Sequence, residues 1–328
     1  VRVAFVGKGG SGKTTMSALF ARHVASQGGP VVAVDADINQ HLALVLGADE
    51  SPEPLGDRLT EIKDFLRGDN PRIPSAEAMV KTTPPGRGSR LLSFDDLAAS
   101  PYAVTTPGGV RLLATGPFGE DDLGVACYHS KVGAVELLLN HLVDGPGEYV
   151  VVDMTAGADS FASGLFTRFD LTVLVAEPTR QGVGVYRQYA EHAAGFGVRV
   201  AVVGNKVHGP SDVDFLRAEV GADLVAWMEH SAAVRAMEQG RPLALADLEP
   251  ANSDTLAVLL KHLDAQEKDW ARFGRQAEEF HLRNARAWAN ARTGSDLSLQ
   301  IDPGFTYGPP VTTRVSPSSH LEHHADRS

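Results

Sequence analysis

Short runs rich in valine, alanine and leucine recur along this chain: VRVAFVG at 1–7, PVVAVDAD at 30–37, GVRLLATG at 109–116, EYVVVDM at 148–154, LTVLVAEP at 171–178 and VRVAVVGN at 198–205. A strand with one wet face would alternate apolar with polar residues, so near-continuous apolar runs predict a parallel sheet covered on both faces. Between them, segments such as KTTMSALFARHVASQG and AVELLLNHLV carry apolar residues at helical spacing. The alternation predicts an α/β fold, a doubly wound and mostly parallel sheet flanked by helices, over residues 1–265.

Three regions depart from that rhythm. Residues 50–108 contain SPEPLG, NPRIPS and TTPPGRGSR, a density of proline and glycine that predicts a loop-rich insertion with short helices over the sheet edge. Residues 266–293 read as a C-terminal helical extension, with Trp270, Phe273, Phe280 and Trp288 near helical spacing. Residues 294–328 are polar and proline-bearing without an apolar period, and a disordered tail is expected there.

Composition narrows the function classes. The chain has 328 residues, 43% of them hydrophobic, enough to bury a sizeable core. A formal net charge of −11 sets the bulk surface against nucleic acid and anionic lipid, except where basic residues cluster. The single cysteine, Cys127, excludes an intrachain disulfide and suits a reducing compartment. No run approaches the roughly 18 consecutive apolar residues of a spanning helix. With a glycine-rich motif starting at residue 7, no leader is expected before it, and a cytoplasmic protein is the expectation.

That motif, VGKGGSGKTT at 6–15, fits two nucleotide-binding patterns. Gly7, Gly9 and Gly12 satisfy G-x-G-x-x-G, whereas Gly7 to Thr14 satisfy G-x-x-x-x-G-K-[ST]. A dinucleotide site needs glycines for close approach to a pyrophosphate and an acidic residue farther on, a part open to Asp35 or Asp37. It needs neither a lysine nor a hydroxyl at the helix start. Lys13 and Thr14 supply both: a point charge for terminal phosphates and an oxygen ligand for Mg²⁺, beside loop amides and a helix N-terminus that hold anions. A phosphate-binding loop for a nucleoside triphosphate is the reading that accounts for the whole motif.

KGGSGKTT resembles the deviant Walker A loop, K-G-G-x-G-K-[ST]-T, of the MinD/ParA group of dimeric P-loop ATPases. The resemblance implies an ATP-hydrolysing homodimer in which Lys8 reaches across the interface to the partner's phosphates and Lys13 grips its own, charge arriving much as from an arginine finger. Gly9, Gly10, Ser11, Gly12, Lys13, Thr14 and Thr15 are implied to bind ATP, with Thr14 on Mg²⁺. In VDADIN, the resemblance makes Asp37 the carboxylate that orients the attacking water and Asp35 a support of Mg²⁺ through water; Ile38 stands where relatives often have proline or glutamine. In VVVDMTAG it makes Asp153 the Walker B carboxylate, on Mg²⁺ through water, and Gly157 the switch-II glycine. In VVGNKV it matches Asn205 to an adenine contact. His208 stands where guanine-specific loops carry aspartate, which favours ATP. HSAAVRAMEQGRPLA at 230–244 is similar to the segment that closes over the base, with Met228 where proline is usual.

Within the group, GPFGEDDLGVACYHSKVGAVELLLNHL at 116–142 is most similar to CooC-type ATPases, which serve nickel insertion into carbon monoxide dehydrogenase. Those proteins carry C-x-C where this chain has Cys127-Tyr128-His129, and two subunits together bind a metal at their interface. Two copies here would offer two cysteines and two histidines, an acceptable tetrahedral set for interfacial Zn²⁺ or Ni²⁺. The expectation is a nucleotide switch acting on a protein client, such as a metalloenzyme under maturation. A positioning or partition ATPase is the alternative, gripping DNA or membrane through the basic, aromatic stretch that holds Lys268, Arg272, Arg275, Arg283, Arg286 and Arg292.

Overall fold

The computed structural model describes residues 1–117, 128–155, 161 and 163–309, with residues 128–130 described in their backbone only. Its strands are β1 (Arg2–Gly7), β2 (Val31–Ala36), β3 (Leu92–Ser93), β4 (Val104–Thr105), β5 (Arg111–Ala114), β6 (Leu142–Val143), β7 (Tyr149–Met154), β8 (Leu171–Ala176), β9 (Val200–Val207) and β10 (Leu224–Glu229). Among the described residues, eight of these form one sheet in the order β10-β9-β8-β1-β7-β2-β5-β4, parallel throughout except for the antiparallel β4–β5 edge. All six runs predicted as strands lie in it. The edge strand β10 was not predicted: its LVAWME is only partly buried and pairs with β9 through shifts of register, so it lacks the continuous apolar signature of the centre.

Alternate residues of the central strands supply two cores. Val3 and Phe5 of β1 face one, Ala4 and Val6 the other, and all four are essentially inaccessible. This two-sided burial is why the strands read as unbroken apolar runs. The first core is closed by α1 (Lys13–Ser26), α2 (Leu42–Leu46) and, later in the chain, α9 (Pro250–Asp264). The second is closed by α3 (Leu59–Arg67), α4 (Phe94–Ala98), α5 (Tyr128–His141), α6 (Arg180–Ala194) and α7 (Pro210–Val220). A short helix, α8 (Ala232–Glu238), follows β10.

The C-terminal extension lies against the rest of the chain. In α10 (Trp270–Asn284), Phe273 is fully buried. A π-helical turn at Ala285–Ala289 leads into α11 (Asn290–Thr293). Disorder was expected from residue 294, yet residues 294–309 are packed: Leu297 joins Val80, Ala285 and Ala289, and Asp302 pairs with Arg87 at 2.8 Å. Gln300 donates to the Ala78 carbonyl at 2.7 Å, and the Tyr307 side chain is buried. This segment is fastened by individual polar contacts to distant loops, so it has no apolar period for a sequence reading to detect. Residues 310–328 of the expected tail lie outside the described residues.

Candidate nucleotide-binding site

The site forms where β1, β7 and β2 end side by side, the carboxyl-end crevice at which open α/β sheets bind ligands. Register brings its parts together. Phe5 of β1, two residues before the loop, and Asp35 of β2 both align with Asp153 of β7. The loop then turns into α1 through Gly12, whose φ of 91° lies in the left-handed region and whose Cβ, if it had one, would collide with the Asn205 amide. Gly12 also provides no side-chain cap, leaving the first amides of α1 open to an anion. Gly9 and Gly10 are exposed, with nothing near a notional Cβ of Gly9.

The two lysines occupy different surroundings. Lys13 is buried, its Nζ paired with Asp37, 3.5 Å from Asp153 Oδ1 and 3.4 Å from Thr14 Oγ1. Burial works to lower its pKa, but the fields of Asp153 and Asp37 outweigh burial and hold the pKa above the ordinary lysine value. Lys8 is partly exposed and donates to Gln181 Oε1 at 2.8 Å, in the first turn of α6. Nothing in the sequence around Gln181 signals this contact, which joins residues 173 apart.

Three carboxylates converge with different partners. Asp37 accepts from the Asn39 backbone amide at 2.9 Å and side-chain amide at 3.0 Å. Asp35 accepts from the amides of Asp37 at 3.1 Å and Leu42 at 2.8 Å, which braces the loop and the start of α2. Burial raises its pKa to about 6, partly countered by those amides. Thr14 Oγ1 donates to Asp153 Oδ2 at 2.6 Å. Burial pushes Asp153 up to about 7 against the pull of Lys13. Asp153 Oδ1 and Ser11 Oγ are buried without hydrogen-bond partners. An unsatisfied carboxylate oxygen beside a threonine hydroxyl suits Mg²⁺, which takes hard oxygen ligands, retains several waters and uses substrate phosphates for the rest. The residues present fit that ion.

Beside the loop lies a cleft of about 220 Å³, lined on one side by Gly12, Thr15, Met16 and Asn205 and on the other by Met228, His230 and Val234. Its second wall is formed by the end of β10 and by His230 and α8, the latter two from the 230–244 stretch expected to close over the base. Asn205 Nδ2 donates to the Ser11 carbonyl at 2.8 Å, tying the cleft to the loop. Lys206, at a φ of 59°, donates to the Gly10 carbonyl at 2.7 Å and pairs with Glu177 at 2.6 Å. Nothing in the sequence signals this role of Lys206, because its partners are remote in the chain.

For other expected site residues the structure describes little or nothing. Cys127 and Gly157 lie outside the described residues, and of His129 the structure gives only its place in the first turn of α5. No group of three or more His, Cys, Asp and Glu able to hold a metal occurs among the described residues. The basic C-terminal stretch is partly turned inward. Lys268 binds Asp144 and Asp170, and Arg272 donates to the Phe169 carbonyl at 2.8 Å. Arg275, Arg283, Arg286 and Arg292 are exposed. Among the described residues no helix is long and apolar enough to cross a membrane.

Comparison with known proteins agrees with this geometry. The family model for the CobQ/CobB/MinD/ParA nucleotide binding domain matches residues 3–290. The carbon monoxide dehydrogenase accessory protein CooC of Rhodospirillum rubrum is 28% identical over 268 residues, covering 80% of this chain and 96% of that protein. An uncharacterized ATP-binding protein of Methanocaldococcus jannaschii is 28% identical over 251 residues, covering 75% and 91%. Among solved structures, the septum site-determining protein MinD of Pyrococcus horikoshii, complexed with Mg-ADP, superposes with a TM-score of 0.55 at 16% identity, covering 80% of this chain and 96% of that one. A ParA family ATPase of Chlorobium tepidum gives 0.55 at 16% identity, covering 80% and 99%. At those identities the structural likeness establishes the fold.

Proposed function

The chain belongs to the CobQ/CobB/MinD/ParA nucleotide-binding family, and from that premise we propose that it is a Mg²⁺-dependent ATPase whose nucleotide state, read out by dimerisation, switches a surface for a protein client. The observation that carries this reading is the pairing of Lys13 with Asp37 and Asp153 at an uncapped helix N-terminus. In the proposed cycle the amides of residues 9–15 and Lys13 take the triphosphate oxygens. Arriving phosphates compete with the two carboxylates for Lys13, and its transfer frees Asp37 to accept a hydrogen bond from the attacking water and orient it. Thr14 directly and Asp153 through water would hold Mg²⁺, and the ion would supply positive charge against the phosphate oxygens. Asp35 steadies the loop, and any contact it makes to the ion would be through water. Asn205 and the cleft beside it would receive the adenine, and Gly157 would sense the terminal phosphate.

Lys8 is the residue assigned to the second subunit's nucleotide. Its resting contact with Gln181 leaves it away from the carboxylates of its own chain and partly exposed. Lys8→Ala is expected to keep ATP affinity within about twofold while hydrolysis falls by about 10³-fold or more, the scale of losing a trans-acting cation. Equilibrium binding and phosphate release measure the two separately. Unchanged turnover would remove the trans role.

Likeness to a carbon monoxide dehydrogenase accessory protein supports metalloenzyme maturation as the task. Cys127 and His129 from two copies are the proposed ligands of an interfacial Zn²⁺ or Ni²⁺ cargo. DNA or membrane positioning has weaker support, because Lys268 and Arg272 of the basic stretch are engaged internally.

A further inference from the structure

Among the described residues, Gln40 and Lys206 are the non-glycine residues with positive φ, and both border the nucleotide site. Gln40 lies three residues beyond Asp37 at a φ of 50°. A glycine takes that conformation without penalty, whereas a side chain with a Cβ is strained there and persists only if its surroundings demand it. The demand comes from the side-chain amide. Nε2 donates to the Asp37 carbonyl and, at 3.0 Å, to Thr115 Oγ1. Oε1 accepts from the Gly116 amide at 3.3 Å. Thr115 is itself locked to β2, its amide and hydroxyl reaching the Asp35 carbonyl at 2.9 and 3.1 Å.

These bonds divide into two sets. Asn39 fixes the Asp37 carboxylate within its own loop, at 2.9 and 3.0 Å. Gln40 fastens that loop to the exit of β5, across 75 residues of chain. Asp35 of β2 braces the two ends of that loop through the amides of Asp37 and Leu42. The Gln40 amide adds a separate tie from the middle of the loop to the exit of β5.

We propose that Gln40 is a positioning residue for ATP hydrolysis, its side-chain amide clamping the Asp37 loop to Thr115 and Gly116 so that the carboxylate is held at the distance the attacking water requires. The inference rests on the assignment of Asp37 to the water. Holding a reacting group in place is worth a large factor, since a displacement of about 1 Å can cost about 10²-fold in rate. Binding of ATP, dominated by the P-loop amides and Lys13, is independent of the clamp.

The test compares Gln40→Gly, Gln40→Ala and Asp37→Ala with the unaltered full chain, measuring Mg²⁺-ATP turnover, binding of a fluorescent ATP analogue and thermal midpoint. Glycine relieves the backbone strain and removes the amide. Gln40→Gly is therefore expected to be at least as thermostable as Gln40→Ala, to bind the analogue within about twofold of the unaltered chain, and to lose about 10- to 100-fold in kcat. Thr115→Val, which removes one partner of the amide, should lower kcat in the same direction and add little when combined with Gln40→Gly. Wild-type kcat in Gln40→Gly, with Asp37→Ala inactive, overturns the clamp and leaves the hydrolytic reading intact. An unaltered chain that binds the analogue and does not turn over ATP overturns both.

Discussion

At the amino-terminal end of β1, Asp144 is buried against Arg2 at 2.7 Å and against Lys268, while Asp170 accepts from the Arg2 amide at 2.8 Å and pairs with Lys268 at 2.9 Å. At the carboxyl end of the same sheet, Asp153 is buried with one lysine 3.5 Å away and an oxygen lacking any hydrogen bond. Burial pushes both carboxyls up. For Asp144 the fields of Arg2 and Lys268 prevail and hold it well below the usual carboxylate range; for Asp153 burial prevails and its pKa rises to about 7. Arg2 is further enclosed by Trp270 and Phe273, its guanidinium 5.6 and 5.2 Å from their ring centres. Two charged clusters in one fold thus differ in whether their charges are already matched. The matched one fastens the C-terminal helix to the sheet, and the undermatched one is left to be completed by a cation and a phosphate.

The largest expected effect falls on the matched end. Asp144→Ala should destabilise the fold by about 3–5 kcal/mol in urea denaturation, because it leaves the fully buried Arg2 guanidinium without its paired carboxylate. Turnover per folded molecule should stay unchanged. The pH dependence has a definite sign: a carboxyl depressed in the folded state adds stability above its unfolded pKa of about 3.9, and that stability drains away as pH falls below about 4. The variant should lack this acid-side loss.

Asp153→Asn should do the reverse. Hydrolysis is expected to fall by about 10²-fold or more. The urea midpoint of the metal-free protein should hold or rise, since an amide of the same shape replaces a poorly compensated buried charge. A midpoint falling as far as in Asp144→Ala would erase the distinction between the two ends.

Tyr307→Phe probes the smallest difference. The Tyr307 hydroxyl donates to the Leu142 carbonyl and lies 3.2 Å from Arg2 Nη2, which brings the packed C-terminal segment into the matched cluster. Loss of one buried hydroxyl should cost about 1 kcal/mol, again read in urea, with ATP affinity untouched.

The two ends were not equally legible. The loop from Lys8 to Thr15 and the strand carrying Asp153 near its end are contiguous patterns, so their residue types and spacing reveal them. Arg2, Asp144 and Lys268 are ordinary charged residues in sequence, their partners 142 and 124 positions apart. The edge strand β10 and the packing of residues 294–309 escaped notice because neither shows a periodic apolar face. Gln40, Gln181 and Lys206 escaped because a glutamine or lysine in a loop gives no sign of which distant atom it will hold.

The amino-acid sequence by itself determined the α/β alternation, the two-sided sheet and the phosphate-binding loop, since each depends on near neighbours through strand periodicity or the local conformation of glycine. Only the tertiary structure decided which buried charges are matched, that Lys13 rests on Asp37 and Asp153 while Lys8 rests on Gln181, and that a strained glutamine joins the Asp37 loop to β5. Strand register and chain crossings set those distances, and pKa shifts and hydrogen bonds depend on distance and burial, which residue order alone does not encode locally.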